Sequence, residues 1–217
     1  MKKIFYIIAC AAACAAMFFT GCKKSVNYLS YVSETRSEIY VYEDDALSFK
    51  IYCSVRETPY ASDGIKGQLT PIIEAFYAPS STPSKVIISF AGFSGEMNYL
   101  ATSKSFYLSF TGNALSCESV DVNINSDGKE RSFKAASVLY DGVINAETAL
   151  KCVTEYDGEL FKSLTEGSYF NGEIYVRLLF DEGCYYYVGV CDKSGNTSAY
   201  LVDGESGRII AERKQNS

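Results

Sequence analysis

Residues 46–55 read ALSFKIYCSV. Leu47, Phe49, Ile51, Cys53 and Val55 alternate with Ser48, Lys50, Tyr52 and Ser54. Successive side chains of an extended chain point to opposite faces, so a period of two describes a strand with one buried and one solvated face. Cys53 falls on the apolar face and reads as a small core residue, because free cysteine is among the most buried side-chain types.

The same rhythm extends on both sides. Strand candidates lie at residues 38–43, 68–78, 85–91, 96–102, 105–110, 118–125 and 131–140. Turn chemistry separates them at Ser62-Asp63-Gly64, Ser80-Ser81-Thr82-Pro83, Thr111-Gly112-Asn113 and Ser126-Asp127-Gly128. Short strands at this spacing, without a helical period, predict an antiparallel β-sandwich of the immunoglobulin-like class over residues 37–140. The Cys-Trp-Cys signature of true immunoglobulin domains is absent, since the chain has no tryptophan. Residues 22–36 read as a tether ending in a first edge strand.

Near residue 141 the rhythm changes. Asn145 can cap a helix running to about Glu166, with Glu147 in its first turn to complement the dipole. Leu150, Val153, Leu160, Phe161 and Leu164 recur at helical spacing. Gly158 weakens the middle of this helix, and Gly167 suits the position just past its end. Four strand candidates follow at residues 173–180, 184–192, 197–203 and 208–213. They are joined by hairpins at Asp181-Glu182-Gly183, Lys193-Ser194-Gly195-Asn196 and Gly204-Glu205-Ser206-Gly207. One helix on an antiparallel meander is an α+β unit spanning residues 141–217. The chain is therefore expected to be mainly β, in two parts.

Three stretches of the second part resemble a PepSY-type domain. Residues 144–150 are similar to its helix entry, residues 185–190 to its central strand, and residues 200–210 to its closing hairpin, with Ser206 where threonine is usual. The resemblance covers about 70 residues and none of the first part. It implies an extracytoplasmic module that restrains peptidases or contacts envelope partners, and it brings no catalytic residues.

The N-terminus opens with Lys2 and Lys3, continues almost wholly apolar over residues 4–21, and reaches Phe19-Thr20-Gly21-Cys22. A short basic region before an apolar run is the pattern of a secretory signal. The ending resembles the lipobox of bacterial lipoproteins, with Phe19 where leucine is usual. The resemblance implies a signal peptide over residues 1–21, removed in the mature protein, and a diacylated Cys22 as the new N-terminus. At ~0.8 kcal/mol per buried CH₂, two or three acyl chains form a stable anchor where one is marginal. A plain transmembrane helix would be near the minimum length and would leave the small-small-Cys ending unexplained. The expected location is the extracytoplasmic face of a cell membrane.

Composition excludes several chemistries. No histidine is present, which removes Ser-His-Asp and Cys-His catalysis, His-ligated zinc and any histidine pH switch. Gly92-Phe93-Ser94-Gly95 lacks the spacing of a nucleophile elbow. Losing Lys2 and Lys3 takes the formal net charge from −6 to −8, so nucleic acid is not an expected partner. No cofactor is implied.

Beyond Cys22, the mature chain has Cys53, Cys117, Cys152, Cys184 and Cys191, an odd set with no C-x-x-C. Residues 183–191 read GCYYYVGVC. If this is a strand, its cysteines face opposite ways roughly 23 Å apart, far beyond the ~7 Å reach of a disulfide. Cys184 can still pair with a neighbouring element, and Cys152 is the candidate.

Residues 123–128 start like a calcium loop, but Lys134 stands where the bidentate glutamate belongs, and a hairpin is the better reading. The clusters Glu43/Asp44/Asp45, Asp157/Glu159 and Asp181/Glu182 can supply an acid and a base, or are solvated turns. No metal site is assigned. Tyr175, Tyr185, Tyr187 and Tyr200 are the candidate ligand-binding residues, as an aromatic sheet face for peptide or sugar. The alternative is that they pack across strands. The first functional expectation is a non-catalytic module that holds a protein or peptide partner. The second is a solute or glycan binder, and the third a carboxylate-based hydrolase.

Overall fold

The computed structural model describes residues 26–59 and 66–214. The segment read as a signal peptide, Cys22 and the first residues read as a tether lie outside the described residues. After a 3-10 turn at Tyr28–Tyr31 come β1 (Val32–Asp44), β2 (Leu47–Glu57), β3 (Leu69–Pro79), β4 (Val86–Phe90), β5 (Phe93–Glu96), β6 (Asn98–Leu100), β7 (Ser105–Thr111), β8 (Ser119–Ser126) and β9 (Lys129–Ser137). The second part holds α1 (Ala146–Tyr156), α2 (Gly158–Ser163), a small hairpin of β10 (Thr165–Glu166) and β11 (Tyr169–Phe170), then β12 (Gly172–Phe180), β13 (Cys184–Asp192), β14 (Thr197–Asp203) and β15 (Ile209–Arg213). The protein is mainly β, with its helices on one large and mostly antiparallel sheet.

The strand order is β15-β14-β13-β12-β1-β2-β3-β7-β6, with β9-β8-β4-β5 branching from β1. One edge of β1 pairs antiparallel with β2. Its other edge is divided. Residues 32–36 run parallel to β12, and Tyr40 and Val41 run antiparallel to β9. The register shifts between Arg36 and Glu38, where the neighbour changes. The first strand was expected at an edge, and instead it sits in the middle of the sheet. It begins inside the stretch read as tether.

In the first part the sheet curls on itself so that β2, β3 and β7 face β9, β8 and β4. Phe49, Ile51, Cys53, Ile73, Ala75, Val86, Ile88 and Val122 fill the space between. The ring of Phe93 on β5 lies 5.1 Å from that of Phe110 on β7, which nearly closes a barrel. The two faces are one continuous sheet through β1 rather than two separate sheets. The turn at Asp127-Gly128 has positive φ at both residues, as tight hairpins favour. The Asp127 carboxylate accepts hydrogen bonds from the Ser84 and Lys85 amides at 3.0 and 2.9 Å, a turn role rather than a calcium one.

In the second part, Leu150 and Val153 of α1 and Phe161 of α2 pack on Ile174, Val176, Leu178, Tyr186, Val188 and Val202. The Asn145 side chain accepts from the Thr148 amide at 2.8 Å, as its position predicts. The expected single helix is broken at Asp157, whose carboxylate accepts from the Leu160 amide and starts α2. Gly167, with φ of +63°, turns the β10–β11 hairpin instead of ending a helix. The rings of Tyr28 and Tyr31 pack on Phe161 and Phe170 at centroid distances of 4.8 to 5.4 Å. The 3-10 turn is thus fastened to the second core, and Val26 before it packs there as well.

Cys53, Cys117, Cys152, Cys184 and Cys191 are all free thiols. Cys184 donates to the Val138 carbonyl at 3.3 Å rather than bonding Cys152. Burial pushes the Cys53, Cys184 and Cys191 thiols up, which leaves them unreactive.

Because β1 belongs to both halves of the sheet, the two cores are expected to unfold together. Ile51→Ala in the first and Ile174→Ala in the second, both fully buried, should each cost about 2–5 kcal/mol. In chemical denaturation both variants should shift one common transition. Two separable transitions would contradict the coupling.

Candidate functional site

The face of the sheet opposite α1 is built by register. Across β13, β12, β1 and β2, one row runs Gly189, Tyr175, Glu34, Arg56, and the next runs Tyr187, Arg177, Arg36, Ser54. Beyond them, Tyr52 pairs with Glu74 of β3, and Phe76 with Tyr107 of β7. The result is a band of aromatic, arginine and glutamate side chains crossing six strands.

Most charges in this band are neutralised in place. Arg177 pairs with Glu34 at 2.5 Å, and Arg56 with Glu74 at 3.2 Å. Tyr107 donates to Glu74 at 2.9 Å. Glu173 is fully buried and accepts from the hydroxyls of Ser33, at 2.8 Å, and Tyr175. A buried carboxylate must be paired and hydrogen-bonded, because desolvation otherwise costs several kcal/mol.

Three of the four candidate tyrosines share this face. Tyr175 is buried, and its hydroxyl is used by Glu173. Tyr185 and Tyr187 are half-buried beside it. Gly189 leaves them room, since a Cβ there would come within 2.9 Å of the Tyr187 ring and 3.2 Å of Tyr175. Tyr200 does not join them. It pairs with Val188 and so points into the second core, 1% exposed, donating to Asp157 at 2.7 Å.

Sequence reasoning missed the residues with the clearest capacity to bind. After Arg177, β12 leaves β1, and a cleft of about 260 Å³ opens between them. It is lined by Arg36, Lys50, Tyr52 and Asp181 and walled by Ile39, Val41, Leu179 and Phe180. The Arg36 guanidinium lies over the Tyr52 ring, 4.2 Å from its centroid. Among the described residues neither Arg36 nor Lys50 has a carboxylate within 4.0 Å, and the Arg36 Nε is shielded from solvent without a partner. Burial pushes the Arg36 guanidinium below its ordinary value, and nearby Arg177 adds to this, although Tyr52, Glu34 and Glu74 oppose it. Arg36 sits in the stretch read as tether, and no local pattern announces its neighbours on β12.

Acid–base chemistry has weaker support. Asp44 and Asp157 satisfy turn and cap amides, and Glu182 occupies a tight turn at φ of +56°. Among the described residues no three His, Cys, Asp or Glu side chains are grouped to hold a metal. A wide depression of about 770 Å³ on another side is lined by Glu38, Cys117, Glu118 and Asp141. Burial raises the Glu38 carboxyl.

The Asp157 cluster yields a pH prediction. Burial pushes its carboxyl up, but hydrogen bonds from Tyr200, Lys214 and the Leu160 amide outweigh this and hold it below the ordinary 3.8. A depressed folded-state value adds stability above the unfolded value, and that stability is lost as pH falls through the folded one. Asp157→Asn keeps the cap but loses the ion pair, so it should cost about 1 kcal/mol at pH 7 and less at pH 2. Denaturant midpoints at the two pH values check this. No family model, curated protein or solved structure matches the chain at a significant level.

Proposed function

We propose that this chain is a lipid-anchored, extracytoplasmic binding module without catalytic activity, which holds a protein or peptide partner at a bacterial membrane surface. The observation that carries the binding role is the Arg36–Tyr52 stack beside Lys50, a cationic and aromatic cleft in an otherwise charge-compensated sheet. The anchor rests on the Cys22 lipobox pattern. With the first element beginning at Tyr28, the six chain steps from Cys22 span at most about 20 Å. The binding face would then stay close to the headgroups.

The second part supports a PepSY-like reading through the contacts of its helix entry. The Ile144 amide donates to the Gly204 carbonyl at 2.8 Å, and Tyr186 donates to the Ile144 carbonyl at 2.8 Å. The closing hairpin is held by Asp203, which accepts from the Ser206 amide and hydroxyl. The immunoglobulin-like class of the first part belongs to the same proposal. Its antiparallel strands around one core support that class, and the sharing of β1 departs from it.

A glycan or solute binder using the tyrosine face is the second reading. It is weakened by the burial of Tyr175 and by the inward turn of Tyr200.

Crosslinking in intact cells followed by pull-down should recover one envelope partner, with lower yield from Lys50→Glu. Recovery of none, or equal yield from both proteins, contradicts the module reading. Cys22→Ala should lose lipid labelling and leave the membrane fraction. Labelling equal to that of wild type would refute the anchor.

A further inference from the structure

We infer that the cleft between β1 and the end of β12 is a carboxylate site, which takes an apolar monocarboxylate such as the C-terminal residue of a peptide. This deepens the binding-module reading and rests on it. Charge gives the first argument. The band holds the guanidiniums of Arg36, Arg56 and Arg177, and Glu74 and Glu34 serve the latter two. Arg36 is left without an anion among the described residues, in a protein that is acidic overall. A guanidinium cannot shed its proton, and Tyr52, Glu34 and Glu74 offset its desolvation only in part, so an incoming anion is favoured. Contact with the Tyr52 ring restrains the guanidinium before any ligand arrives, which reduces the ordering cost of a two-point contact.

Shape gives the second. The cleft holds about 260 Å³, somewhat below the ~300–1,000 Å³ of drug-sized sites. That suits one carboxylate and one side chain. Ile39, Val41, Leu179 and Phe180 supply an apolar wall beside the cations. Lys50 stands opposite Val41, and Tyr52 opposite Ile39, so the cation and ring on β2 face the apolar pair on β1.

Asp181 gives the third. It lines the same cleft and is exposed. Its charge disfavours a phosphate dianion or a second acidic group, and it tolerates a single carboxylate held by two cations. The ligand class is therefore a monoanion with an apolar body. A peptide terminus and a small free acid share that chemistry.

Calorimetric titration of the full-length protein distinguishes these sources. Three probes suffice: N-acetyl-Ala-Phe with a free carboxylate, the same peptide as its C-terminal amide, and 3-phenylpropionate. The free-acid peptide is expected to bind and the amide to bind about ten- to a hundredfold more weakly, the loss of one charge-assisted contact. Binding of the peptide acid without 3-phenylpropionate assigns a chain terminus. Binding of both assigns the apolar carboxylate whatever its source. Arg36→Gln should abolish the preference for acid over amide. Lys50→Gln, at a half-buried position where folding is secure, should weaken acid binding severalfold. An amide that binds as well as the acid, or unchanged affinity in Lys50→Gln and Arg36→Gln, overturns the inference. Either result leaves the module reading to stand or fall on partner capture in cells.

Discussion

The parallel pairing of residues 32–36 with β12 is the constraint on which the rest of the molecule depends. It joins the first strand to one that follows about 140 residues later, as the buried Ser33–Glu173 hydrogen bond shows. A strand has two edges, and β2 occupies one of them along nearly the whole of β1. The remaining edge must serve both β12 and β9, which lie in different parts of the sheet. The chain accommodates them in succession, with a register shift at the change of partner. The fork creates the cleft, because β12 departs while β1 continues.

Local elements were legible and non-local ones were not. Residues 184–192 and 197–203 form strands with the expected bounds, because alternation and hairpin turns are encoded within a few residues. The strand at residues 46–55 buries Leu47, Phe49, Ile51 and Cys53 as its alternation requires, but at its end the pattern reverses, with Ser54 buried and Val55 exposed. β5 was missed because the turn before it uses Ala91 at φ of +44°, where Asn or Gly would have signalled a hairpin. The helix was read as continuous because its apolar spacing runs on through a second cap at Asp157. Nothing local to residues 32–36 announces a parallel partner, so a central strand looked like an edge.

The candidate site divides the same way. Tyr175, Tyr185 and Tyr187 share a face because period two within β12 and β13 requires it. Tyr200 lies on the other face because the β13–β14 register pairs it with inward-facing Val188. Arg36 and Tyr52 acquire their roles only when β1 and β2 pair and β12 peels away. The band then contrasts with the cleft. Where carboxylates meet guanidiniums, as at Arg177–Glu34 and Arg56–Glu74, the face is self-satisfied and structural. Where the arginine stands alone on an aromatic ring, the face has bonding capacity left for another molecule.

That contrast is best tested by observing the three arginines separately. Nitrogen-15 NMR resolves the side-chain Nε–H resonances of Arg36, Arg56 and Arg177 during titration with a small apolar carboxylate. The Arg36 resonance should move and saturate while those of Arg56 and Arg177 stay in place. No movement at Arg36, or equal movement at all three, would contradict the claim that the fork in β1 leaves one guanidinium free to bind.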